Sequence, residues 1–265
     1  MFVEEPIVTE DFVETGQGRL FARLWTPVGQ ASRAPIVLIH DSLGCVELWR
    51  DFPAQLSKAT QRRVIAYDRL GFGQSDMRFG KLQPSFVTEE AKVYIPHLLR
   101  HFRIDRFVPF GHSVGGGMAI CCGASFPTVC AAIVTESAQM FAEDLTLRSI
   151  AAARIQFAET DQLDKLKKYH GEKAAWVVSA WTDTWLSSDF ASWNVRTELT
   201  ELRSSLLVLH GDEDEYGSLQ HPETARELAG DEVATHILRG EGHVPHKTRP
   251  MLVLDLVAPF LATCP

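Results

Sequence analysis

Residues 106–125 read RFVPFGHSVGGGMAICCGAS: a short apolar run, a serine with glycine two places before and two after it, then mostly small residues. A plain strand-to-helix turn would use these residue types, because glycine supplies unusual backbone angles and serine caps helices. A tighter turn would do more, pushing the Ser113 hydroxyl out to where a substrate can reach it. Such a hydroxyl attacks a carbonyl only if a base takes its proton and an acid orients that base. Further along, SSLLVLHGDEDEYGS ends an apolar run in carboxylates, and VATHILRGEGHVPH ends the next in Gly-Glu-Gly-His. Serine, acid and histidine thus follow in that order, each just past a strand-like segment.

The other polar clusters fit plainer chemistry. DEDEYG with Glu223 puts acids at positions 1, 3 and 12 and glycine at 6 of a calcium-loop pattern, but position 5 is Tyr216. A strand-like run, not a helix, precedes it, so calcium is rejected. GFGQS is not G-x-G-x-x-G and GHSVGGG lacks the P-loop lysine, so nucleotide binding has no support. His97 and His101 share a helix face without a third ligand, and no metal or cofactor is expected. The five cysteines are odd in number and form no C-x-x-C, which fits buried thiols in a reducing cytoplasm. A net charge of −8 opposes nucleic-acid and anionic-membrane partners. No run is long enough to span a membrane, and the acidic MFVEEPIVTEDFVE lacks a signal-peptide layout. A cytoplasmic location is therefore expected.

The elements that must position these residues alternate. FVETG and RLFARLWTP (12–16 and 19–27) predict a hairpin about Gly-Gln-Gly. Short β-rich runs follow at 35–40, 63–68, 106–111, 131–137, 204–211 and 233–240, several apolar on both faces as in a parallel sheet buried on both sides. Helices are predicted over 86–102, 113–125, 221–229 and 248–262. The pattern predicts an α/β fold with a doubly wound, mostly parallel sheet. It breaks once: residues 140–199 carry no strand signal and hold Trp176, Trp181, Trp185 and Trp193. This stretch is read as an all-helical lid over the carboxyl ends of the strands, with residues 1–139 and 200–265 forming the core.

Five stretches in order resemble the α/β-hydrolase fold superfamily, in its lid-bearing serine esterase, lactonase and C–C hydrolase branch. VLIHDSLGCVELW resembles the oxyanion loop, YDRLGFGQSD the D-x-R/x-G-x-G-x-S-D loop, GHSVGG the nucleophile elbow, HGDEDEYGS the acid turn and GEGHVPH the histidine turn. The resemblance runs from about residue 12 to the C-terminus, with no shared motif in the lid. It implies Ser113 as nucleophile, Asp214 as acid and His243 as base, with the Val114 and Ser42 N–H groups as oxyanion donors. Asp41 stands where the family most often has glycine; aspartate tolerates the backbone needed, but its carboxylate has to turn away from an oxyanion. The x-S-L-G form of this loop also resembles enol-lactone hydrolases of aromatic catabolism. Some members carry the triad acid where Glu136 stands, which makes Glu136 the alternative to Asp214 and otherwise a substrate-side residue. Asp212 is read as a turn residue, His112 as packed or hydrogen-bonded, and His246 as a solvated residue at a helix start.

The expected activity is cleavage of a small carboxylic ester or lactone through an acyl-enzyme, without cofactor. The alternatives are a C–C bond hydrolase of the meta-cleavage type and a ligand-binding or signal-sensing protein on a hydrolase scaffold. Trp181 and Trp185 share a helical face with Val177 and Val178 and are expected to wall the substrate pocket. The partner expected is the small-molecule substrate, with a homodimer left open.

Overall fold

A computed structural model describes residues 4–29, 33–159, 161–230 and 233–264. Eight strands form one sheet in the order β1-β2-β4-β3-β5-β6-β7-β8. They are β1 (Ile7–Thr15), β2 (Gly18–Thr26), β3 (Ile36–Ile39), β4 (Val64–Tyr67), β5 (Val108–His112), β6 (Ile133–Glu136), β7 (Leu206–Gly211) and β8 (Val233–Leu238). The first two make the expected antiparallel hairpin, β2 lies antiparallel to β4, and every later pairing is parallel.

All residues of β3 to β7 are buried, because helices cover both faces of the sheet. The pleat still sorts them by alternation. Ile36 and Leu38 pack with Phe52, Leu56, Val253 and Val257 on one face. Val37 and Ile39 join Met118, Ile120 and Tyr94 on the other. The helices of the first face are α1 (Phe52–Thr60) and α11 (Pro250–Ala262). The second face carries α2 (Phe86–Glu89), α3 (Ile95–His101) and α4 (Val114–Ser125). The helix expected over 86–102 is thus interrupted: residues Glu90–Tyr94 widen into π-type bonding just before Pro96, which has no N–H to donate.

Between β6 and β7 the described chain is helical, with α5 (Asp144–Glu159), α6 (Gln162–His170), α7 (Ala174–Trp185) and α8 (Arg196–Thr200). Side chains of this stretch bind loops that follow the carboxyl ends of three strands. His170 donates from Nε2 to the Leu43 carbonyl at 3.0 Å and accepts at Nδ1 from the Gly73 N–H at 2.9 Å. Thr146 and Ser149 donate to the Tyr216 and Glu215 carbonyls, both at 2.6 Å. After β7 come α9 (Gln220–Ala229) and the short α10 (Pro245–Thr248). Among the described residues no helix is long and apolar enough to cross a membrane.

Candidate active site

Ser113 stands between the end of β5 and the first residue of α4, at φ 58° and ψ −126°. Side-chain-bearing residues rarely adopt this region, and they hold it only where neighbours over-determine the backbone. Here the Ser113 N–H donates to the Glu136 carbonyl at 2.9 Å, and its carbonyl accepts from the N–H groups of Gly116 at 2.9 Å and Gln139 at 3.2 Å. The flanking glycines are needed for space. A Cβ on Gly111 would fall 1.9 Å from the Gly115 carbonyl oxygen, and one on Gly115 would fall 2.2 Å from that of Ile39.

The hydroxyl meets a continuous hydrogen-bond chain. Ser113 Oγ lies 2.9 Å from His243 Nε2, and His243 Nδ1 lies 2.8 and 2.9 Å from the two carboxylate oxygens of Asp214. Asp214 follows β7 and is fixed by the Tyr216 and Gly217 N–H groups at 2.8 and 3.1 Å. Burial would push the Asp214 carboxyl up, but the His243 hydrogen bond and charge outweigh it and hold it below the usual range. Burial likewise pulls His243 down, yet the bond to Asp214, its charge and those of Asp41 and Glu215 raise it above its ordinary value. An anionic acid pointing at Nδ1 leaves Nε2 with the lone pair that can accept a hydroxyl proton.

Local backbone constrains the two expected oxyanion donors. Val114 opens α4, so its N–H has no acceptor within the helix. At Ser42 the geometry is set one atom earlier. The Asp41 carbonyl accepts from His40 Nδ1 and from Arg69 Nη2, each at 2.8 Å. The Arg69 N–H in turn donates to His40 Nε2 at 3.1 Å, which fixes the tautomer. Because the peptide is trans, anchoring that carbonyl turns the Ser42 N–H to the opposite side. The Asp41 carboxylate lies on the side of His112 and Gly44: Oδ2 is 3.8 Å from His112 Nδ1, and Oδ1 occupies the space a Cβ on Gly44 would need.

Glu136 sits elsewhere than an alternative triad acid should. It is fully buried and bonds His246, whose Nδ1 and backbone N lie 2.7 and 3.1 Å from Oε1. Burial pushes its carboxyl up, and the facing His246 and His112 outweigh that and lower it. His246 is therefore not solvated as the sequence suggested. It is 4% exposed, with its ring 4.6 Å from that of Trp49, because α10 folds back against the sheet end. His112 is buried, as expected, with Nε2 donating to the His243 carbonyl at 2.8 Å. Burial and the neighbouring His246 push it down to about 4, so it is neutral. His112, Glu136 and His246 offer ligand atoms within 4.8 Å of one another, but these bonds already occupy one atom of each, which fits a buried polar network better than a metal cradle.

The tryptophan pair divides. The Trp181 ring is 6.1 Å from that of Tyr216, which is 5.0 Å from that of His243. Trp185 is buried at 1% exposure against Phe190 and Trp193, at 4.9 and 5.4 Å, in an aromatic cluster between the helices and α4. His101 binds Asp11 at 2.8 Å. Cys121 and Cys122 are buried behind the elbow, and burial pushes the Cys121 thiol up to about 12. Arg69, His40 and Gln139 were not foreseen from the sequence, although Arg69 and His40 lie within the family-like stretches after β4 and β3.

Residues 36–256 match the model of the alpha/beta hydrolase family. A proline iminopeptidase from Lactobacillus delbrueckii subsp. lactis is 25% identical over 114 residues, covering 43% of this chain and 38% of that protein. A monoglyceride lipase from Rattus norvegicus is 29% identical over 150 residues, covering 52% and 46%. The chain thus spans less than half the length of these curated relatives. The solved proline iminopeptidase of Mycobacterium smegmatis superposes with a TM-score of 0.72 at 19% identity, over 96% of this chain and 98% of that one, a likeness of fold. With the family pattern running from the first central strand into the last helix, the chain belongs to the alpha/beta hydrolase family.

Proposed function

We propose that the chain is a serine hydrolase acting on a small, uncharged carboxylic ester or lactone. The unbroken hydrogen-bond chain Ser113–His243–Asp214 carries this reading. Ser113 Oγ attacks the carbonyl carbon while its proton passes to His243 Nε2. The N–H groups of Val114 and Ser42 bind the oxygen that becomes negative, each donor being worth about 3 kcal/mol. The C–O bond to the alcohol then breaks, and His243 gives that oxygen its proton. Water, deprotonated by the same nitrogen, attacks the acyl-enzyme and frees the acid and Ser113. The charges of Asp41 and Glu215 act on His243, so an anionic substrate would meet repulsion there. The helical stretch 140–199 serves as a lid, a role supported by its bonds to the loops after β3, β4 and β7, and Trp181 offers the substrate an apolar wall.

The relatives include a peptidase and a lipase, so kinship leaves the leaving group open. The test is turnover of p-nitrophenyl acetate and a simple lactone beside the Ser113→Ala protein. Hydrolysis lost in the variant supports the reading. No hydrolysis above the variant by the wild type would reject it.

A further inference from the structure

Gln139, in the loop after β6, is 2% exposed, and its N–H donates to the Ser113 carbonyl at 3.2 Å. Its amide oxygen lies 3.3 Å from Ser113 Oγ. That contact cannot be a hydroxyl donating to an amide oxygen if the triad works as described. The hydroxyl has one proton, and His243 Nε2 at 2.9 Å accepts it. Turned over, the carboxamide would present N–H to Oγ and its oxygen away from it. The end of the amide away from Oγ has no hydrogen-bond partner among the described residues, so a substrate group can supply one.

The strand order says what meets it. Ser113 ends β5, with β3 and its oxyanion loop on one side and β6, which leads to Gln139, on the other. A carbonyl whose oxygen points to the β3 side turns its acyl substituent towards β6. In the acyl-enzyme a substituent on the carbon next to the carbonyl is three bonds from Oγ. It therefore comes within hydrogen-bond reach of an amide that itself touches Oγ. A hydroxyl there can donate to the amide oxygen or accept from its N–H, so it matches the carboxamide in either orientation.

We propose that Gln139 is a specificity-determining residue selecting esters or lactones of 2-hydroxy acids, an inference that rests on the serine-hydrolase reading. The probes are the two enantiomers of methyl lactate and methyl 2-methylpropanoate, which differ by a hydroxyl in place of a methyl. The readout is the kcat/KM ratio of lactate to 2-methylpropanoate, compared between wild type and Gln139→Met, so that intrinsic reactivity cancels. For at least one enantiomer the ratio should fall by about tenfold or more in the variant, because a site built around a hydroxyl discriminates strongly against its absence. Gln139→Leu, with a melting curve for each protein, gives the same reading if Gln139→Met folds poorly. An unchanged ratio, or a parallel fall for both esters, overturns the inference while wild-type turnover keeps the hydrolase reading. A wild type that neither turns over an ester nor is labelled at Ser113 by a fluorophosphonate overturns both.

Discussion

Replacing the serine at the elbow by glycine should make the protein more stable than replacing it by alanine. Both changes remove Oγ and its bonds to His243 and Gln139, so those losses cancel between the two proteins. They differ in the backbone at φ 58°, ψ −126°, which alanine must hold against its Cβ and glycine adopts freely. Such strain is worth about 1–3 kcal/mol. Glycine loses about 0.5–1 kcal/mol more conformational freedom on folding, which opposes the gain. The difference leaves Ser113→Gly ahead by roughly 0.5–2 kcal/mol. For a domain of this size that is a rise in Tm of roughly 1–8 °C. Urea and thermal unfolding of the two purified variants measure it, with Ala119→Gly in the middle of α4 as a control of opposite sign. If Ser113→Ala matches or exceeds Ser113→Gly, the elbow stores no strain and the account of how the hydroxyl is projected is wrong.

Three further expectations follow from the same geometry. Asp214→Asn should lower kcat by about 10⁴-fold by losing the tautomer of His243. Glu136→Gln should instead lower stability by up to about 3–5 kcal/mol through its broken pair with His246, with turnover per folded molecule far above that of Asp214→Asn; the reverse ranking, measured with melting curves, would move the acid to Glu136. Because His243 is raised above its ordinary value and must be neutral to act, kcat/KM should climb as pH rises through that higher pKa, while the stability the His243–Asp214 pair gives below the unfolded histidine value is lost over the same rise; a profile flat from pH 5 to 8 contradicts this. Trp181→Ala should raise KM for a long-chain ester by about tenfold with less effect on acetate, whereas Trp185→Ala should cost about 3–5 kcal/mol of stability, as melting and chain-length series will show.

The serine and acid stood out because each follows a short buried apolar strand, and the histidine because Gly-Glu-Gly leads into it after the half-exposed strand β8. The buried strands β3 to β7 were legible for the same reason, as continuous apolar runs. The helix Phe52–Thr60 was not, since Phe52 and Leu56 are its only large apolar anchors. His246 looked solvated because nothing local shows that α10 folds back onto Trp49 and Glu136. Gln139, His40 and Arg69 act through contacts formed only when loops after β6, β3 and β4 meet. A glutamine in SAQMF carries no periodicity or charge that would single it out. The tryptophans read as one face at helical spacing, yet neighbouring helices put Trp185 into an aromatic core and leave Trp181 towards Tyr216.

The most direct measurement is the intact mass of the protein after exposure to a fluorophosphonate, followed by peptide mapping of the adduct. The account predicts one phosphonyl group per chain, mapped to Ser113, with labelling slowed in His243→Ala. No adduct on the folded protein, or an adduct mapped to any other residue, would contradict it.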